Sequence, residues 1–150
     1  MSASSANPYD AFRFTVEIEG IPVADFTECV LPAVSIDVVE YREGADLQNN
    51  VHKLPGLVKY ENLILRNGLT SSTALWGWFN SFVQGTGTTK SIIVSLLDGQ
   101  KNQVYKWGFS NAWPVKFQSP VLDGKKSALA IETLEIAVEG MTALNLGQGT

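Results

Sequence analysis

Residues 40–60 read EYREGADLQNNVHKLPGLVKY. Strand-like ends, a β-branched run over 34–41 and an apolar stretch over 57–66, enclose a polar, Gly- and Asn-bearing excursion at about 42–56. Connections in compact domains usually run to about 4–6 residues, and much longer ones either serve a function or lack order. A segment of this length therefore reaches for something outside its own domain. The run Val34, Ile36, Val38, Val39 supplies the β-branched side chains that a pleated strand favours.

Upstream, Phe12, Phe14, Val16 and Ile18 alternate with Arg13, Thr15, Glu17 and Glu19. This period of two marks a strand with one apolar and one wet face. Gly20-Ile21-Pro22 breaks it. Downstream, in the return strand over 57–66, Leu63 and Leu65 share a face with Glu61, and Tyr60, Asn62, Ile64 and Arg66 take the other. The hydroxyl cluster Ser71-Ser72-Thr73 can cap a helix carrying Leu75, Trp78, Phe79, Phe82 and Val83 on one face, and Gly85-Thr86-Gly87 ends it.

Strands resume over 91–97 and 104–109, joined by the polar connection Asp98-Gly99-Gln100-Lys101-Asn102. Another crosses 113–117, and the last spans 131–139, where Leu134, Ile136 and Val138 oppose Thr133, Glu135 and Ala137. Residues 141–150 read as a mobile tail. The expected fold is mainly β with one flanking α-helix, built from two packed antiparallel sheets in a single domain spanning 1–150. Core or helix packing falls to Phe14, Leu75, Trp78, Phe79, Phe82, Trp107 and Trp113.

Composition narrows the function. The chain has 150 residues, enough for one domain with a real core. Charged residues make up 17% against a usual share of about 25%, which favours buried subunit contacts. Net charge is -4, and Lys and Arg are scattered with no basic stripe to neutralise phosphates, which excludes sequence-specific nucleic-acid binding. No stretch approaches the ~20 apolar residues of a membrane span, and no signal sequence precedes the domain, so synthesis and folding in the cytoplasm are expected. Cys29, the single cysteine, reads as a small buried hydrophobe.

A search for chemistry is negative. His52 is the lone histidine and has no second ligand at metal spacing. Glu132 and Glu135 alternate to opposite faces of one strand, and Glu40 and Glu43 sit at a solvated loop base, so neither pair forms the opposed carboxylates of a glycosidase. Gly85-x-Gly87 lacks the remainder of a phosphate loop. Neither a catalytic residue nor a metal or cofactor site is expected.

Several segments together resemble the inner tube proteins of contractile phage tails and phage-tail-like injection particles. They are Asn7-Pro8-Tyr9-Asp10, Phe12-Arg13-Phe14, Tyr41-Arg42-Glu43-Gly44, Lys53-Leu54-Pro55-Gly56-Leu57, Leu75-Trp76, Leu96-Leu97-Asp98, the run from Trp107 through Lys116, and Ile131 through Ile136. The resemblance implies a structural subunit that forms hexameric rings, with strands continuing from one subunit into the next around a wide lumen. The rings stack into a tube inside a contractile sheath, assembled in the bacterial cytoplasm into a phage tail or injection particle. Its implied partners are copies of itself, the sheath protein, baseplate and tube-initiating proteins, a tail terminator or cap, and lumenal cargo, whether an effector, a tape-measure protein or phage DNA.

On that reading Tyr9, Arg13, Tyr41, Arg42, Glu43, Leu47, His52, Lys53, Leu54, Pro55 and Leu57 contact adjoining subunits or the next ring. Thr15, Glu17, Glu19, Thr133 and Glu135 are candidates to face the lumen. Tube-initiating baseplate components and the secreted ring proteins of type VI systems share the architecture. Two other classes compete: a monomeric small β-barrel carrying an apolar ligand, and an enzyme of the acid-pair type.

Overall fold

The computed structural model describes residues 13–21, 26–44, 51–68, 73–125 and 130–146. The readings on Tyr9, Phe12, Leu47, Ser71, Ser72 and 147–150 lie outside the described residues. In chain order the elements are β1 (Arg13–Ile18), β2 (Phe26–Val30), β3 (Val34–Tyr41), β4 (His52–Tyr60), β5 (Leu63–Gly68), α1 (Ala74–Val83), β6 (Lys90–Leu97), β7 (Gln103–Gln118), β8 (Ile131–Ala137) and β9 (Gly140–Asn145). The mainly β expectation with one helix holds.

Hydrogen bonding links seven strands in the order β1-β6-β7-β8-β5-β2, with β9 also on β7. All pairings are antiparallel. β7 belongs to two layers: 103–112 pair with β6 on one side, 105–110 with β9 on the other, and 113–118 with β8. One layer is thus β1-β6-β7-β9 and the other β7-β8-β5-β2. Between the segments β7 passes Asn111, whose φ of 50° is in the left-handed region that asparagine tolerates better than most residues. There the Glu139 N–H donates to the Ser110 carbonyl at 3.1 Å, and Asn111 Nδ2 donates to Glu139 Oε2 at 3.1 Å.

The core lies between the layers. Val16, Ile18, Ile92, Val94 and Phe109 from one meet Leu63, Leu65, Leu134 and Ile136 from the other, all buried, and Leu75 and Trp78 of α1 join them. The alternations read from β1 and β8 select Val16, Ile18, Leu134 and Ile136 correctly, and the one read over 57–66 sets Leu63 and Leu65 on a common face, which proves to be the inner one. Phe14 and Trp107 pack partly buried against the same cluster. In the β6–β7 connection, the Asp98 carboxylate accepts the Gln100 N–H at 2.8 Å and the Asn102 N–H at 2.9 Å. The Asn102 hydrogen bond in particular holds that carboxyl below the usual carboxylate range.

α1 ends as its sequence predicts. Gly85 has φ of 81°, its N–H donates to the Phe82 carbonyl at 3.1 Å, and the Thr86 N–H reaches the Ser81 carbonyl at 2.8 Å. These are the paired bonds of a glycine-closed helix terminus. Two residues on, a Cβ at Gly87 would lie 2.4 Å from the Phe82 ring. Gly87→Ala therefore forces that ring off its seat on the core and is expected to cost about 1–3 kcal/mol. A lowered urea midpoint at unchanged m-value checks this, and an unchanged midpoint refutes it.

Five expectations are corrected. The segment 57–66 is not one strand but parts of β4 and β5, divided where the Glu61 N–H turns to the Ala33 carbonyl at 2.9 Å. The strands expected over 104–109 and 113–117 are one bent strand, β7. Residues 141–145, read as the start of a tail, belong to β9, because pairing with 105–110 gives their backbone groups partners. The excursion is shorter than 42–56, since His52, Lys53, Leu54, Pro55 and Gly56 lie within β4. Thr73 makes no side-chain cap on α1, its backbone lying at φ -109° and ψ 18°, away from the extended cap conformation.

Candidate functional site

β3 and β4 form a ribbon of their own, hydrogen-bonded to neither layer. Its register pairs Val34 with Tyr60, Ile36 with Val58, Val38 with Pro55, Val39 with Leu54, Glu40 with Lys53 and Tyr41 with His52. Between Ile36 and Val38 the register shifts, setting Gly56 and Leu57 opposite Asp37. This is a bulge, where one strand carries an extra residue. Gly56 suits that position, since a Cβ would come 3.0 Å from Val39 Cγ2 and 3.1 Å from the Asp37 carbonyl and would press on both.

Directly paired residues share a face and successive residues alternate. One face of the ribbon therefore presents Val34, Ile36, Val38, Pro55, Val58 and Tyr60, with the Glu40–Lys53 pair at its far end. The other presents Val39, Tyr41, His52, Leu54 and Leu57, beside the Asp37–Lys59 ion pair at 3.1 Å. At its far end Tyr41 and His52 stack with ring centroids 5.2 Å apart. Apolar side chains on both faces would ordinarily mean a strand buried between two layers. Here Ile36 is 56% exposed, Val38 60% and Leu57 72%.

A two-stranded hairpin is marginally stable in water by itself. An exposed apolar surface of this extent marks an interaction site. The ribbon therefore brings Tyr41, His52, Lys53, Leu54, Pro55 and Leu57 into one projecting element, with Arg42 and Glu43 exposed just beyond β3. Arg13 stands apart, at the start of β1 opposite Leu97. What the sequence reading missed is Val34, Ile36, Val38 and Val58. Their β-branched run signals a strand without telling whether neighbours of the same chain cover it.

The two polar sets lie on different layers. Thr15 and Glu17 alternate with buried Val16 and Ile18 and so point outward from the β1 layer, and Glu19 Oε1 accepts the Ser91 N–H at 3.0 Å. Thr133 and Glu135 point outward from the β8 layer, where Glu135 meets Lys116 at 3.7 Å and Arg66 pairs with Glu28. In α1, Leu75 and Trp78 are buried and Phe82 is partly so. Phe79 lies 6.0 Å from Phe117 between ring centroids, and Trp113, 38% exposed, packs on Phe82 at 5.9 Å. Cys29 is partly buried against the core, and that burial pushes its thiol up to about 11. Among the described residues no group of His, Cys, Asp and Glu is placed to hold a metal ion. No helix among them is long and apolar enough to cross a membrane.

Residues 10–142 match the family described as T4-like virus tail tube protein gp19. The chain belongs to this family. Its tail tube fold also recurs in solved structures of contractile injection systems. A chain of the PVC sheath–tube complex, from an extracellular contractile injection system in the extended state, is 27% identical with a TM-score of 0.79, covering 89% of this chain and 89% of that one. A chain of the PVC sheath/tube terminator is 28% identical with a TM-score of 0.78, over 88% and 93%. Hcp1 from Salmonella typhimurium, at 14% identity and a TM-score of 0.62 over 93% and 89%, shares the fold. No curated protein sequence matches this one. This tail tube protein is thus an inner tube subunit of a contractile phage tail or injection system, and its exposed ribbon belongs to a molecule built to assemble.

Proposed function

We propose that this tail tube protein closes into hexameric rings that stack as a hollow tube within a contractile sheath, with terminator and baseplate proteins at its ends and cargo in its lumen. The observation that carries the reading is the ribbon of β3 and β4, which among the described residues leaves Val34, Ile36, Val38, Val39, Leu54, Leu57 and Val58 exposed across both faces. Head-to-tail contacts close into a ring when the rotation permits and grow into filaments when a translation is added. β1, β2 and β9 are the outermost strands of their layers among the described elements, and through them the layers continue into neighbouring copies. The likeness to a chain of a sheath–tube complex supports the sheath as partner.

Thr15, Glu17 and Glu19 point the opposite way from Thr133 and Glu135, so one set lines the lumen and the other faces away from it. The role is mechanical and needs no chemistry. A carrier would need room between the layers, which Leu63, Leu65, Ile92 and Ile136 fill without exposure. Electron microscopy with sedimentation across a concentration series tests the reading. Six-fold rings or hollow filaments are expected. Monomers at every concentration, with and without a baseplate partner to nucleate growth, would overturn it.

A further inference from the structure

A head-to-tail contact needs two different patches on each copy, because a ribbon meeting an identical ribbon about a two-fold axis makes closed dimers and no tube. The ribbon is one patch, so its seat lies elsewhere on the same chain. Of the eleven exposed large hydrophobics outside the ribbon among the described residues, six are Trp76, Val83, Trp113, Val115, Val121 and Leu122. All six belong to α1 or to residues 113–122.

The helix itself shows why. Leu75, Trp78 and Phe82 form the stripe toward the core, whereas Trp76, Phe79 and Val83 form a second stripe at the same helical spacing. Trp76 meets Phe117 edge-on at 5.2 Å and Phe79 at 5.8 Å, which joins the second stripe to the end of β7. α1, ALWGWFNSFV, carries no charged residue. A surface helix without charge and with two apolar stripes has one stripe too many for its own core.

Resting on the tube reading, the geometry points to a specific pairing: the β3–β4 ribbon of one copy lies across the second stripe of α1 and the 113–122 segment of the next copy. The seat is matched in size. Nine strand residues reach about 30 Å, and the ten-residue helix, about 15 Å long, extends through Phe117 onto β7. It is also matched in chemistry. Apolar side chains of the ribbon meet the aromatic rings of a helix that carries no charged residue, so the helix side of the contact buries no unpaired charge.

The test is a crosslink in assembled tubes. Leu57→Cys and Val83→Cys subunits of distinguishable mass, mixed and assembled, are treated with a short bismaleimide. Native Cys29 stays in place, since its partial burial against the core slows its reaction, and unsubstituted tubes serve as the control for any product it gives. A dimer of mixed mass, at least ten-fold above the control, is expected in the tube fraction only. Tubes that form without it overturn this pairing and leave the tube reading intact, whereas unsubstituted protein that never assembles overturns the tube reading itself. Should either cysteine variant fail to assemble, unsubstituted tubes mixed from light and heavy isotopes are treated with an amine crosslinker. Links from Lys59 of one copy to Lys116 or Lys125 of another support the pairing. Links from Lys59 only to Lys90 or Lys106 refute it.

Discussion

Ile36→Lys combined with Leu57→Lys is expected to abolish tubes while leaving a folded subunit. The two side chains occupy opposite faces of the ribbon, and both are more than half exposed in the isolated chain. Removing them costs the monomer little, since exposed substitutions usually fall within about ±0.5 kcal/mol, and lysine suits an uncovered strand edge. In an assembled state each position buries an apolar side chain worth about 1.5–3 kcal/mol. Its replacement also strands an ammonium group in an apolar contact. At about 1.4 kcal/mol per factor of ten, the pair raises the concentration needed for assembly by well over ~100-fold. Sedimentation and negative-stain microscopy read the loss, and circular dichroism reads the retained fold. Tubes at the unsubstituted protein's concentration would show that the ribbon is a solvated loop after all.

Alternation was readable wherever a strand has one wet face. Spacing alone puts Val16 and Ile18, and Leu134 and Ile136, on an apolar face, and all four are buried; it sets Leu63 and Leu65 on one face of their strand without telling that this face is the inner one. The close of α1 was equally legible, because Gly85 supplies a conformation few other residues adopt cheaply. β2 was not: it is short, and Thr27 and Glu28 in its middle give no apolar period. The bend in β7 escaped because nothing local separates a strand that turns at Asn111 from two strands with a gap. β9 escaped because its partner, 105–110, lies some thirty residues upstream, and pairing at that distance leaves no mark on either segment. The ribbon lay between these cases. Its strand character and length were visible, but exposure on both faces is a property of what surrounds a strand, and sequence patterns report only what a strand could pack against.

The complementary result is expected from Leu65→Ala. Leu65 is fully buried at the centre of β5, flanked in register by Cys29 of β2 and Leu134 of β8. Truncation there removes transfer energy and leaves a cavity in a layer held on both sides, for a cost of about 2–5 kcal/mol. In a domain of 150 residues each kcal/mol moves Tm by about 2–4 °C, so the isolated subunit should melt roughly 5–20 °C lower. Assembly binds the folded state alone and shifts its apparent stability by mass action. Leu65→Ala tubes should therefore still form below the lowered Tm, with the same diameter, and melt at a temperature that rises with protein concentration. The two variants thus separate folding from assembly: one loses stability and keeps tubes, the other keeps stability and loses them. If Leu65→Ala abolished tubes at temperatures where the subunit is folded, the core and the assembly surface would be coupled. The ribbon would then depend on the layers for more than the seat of Tyr60 against their core.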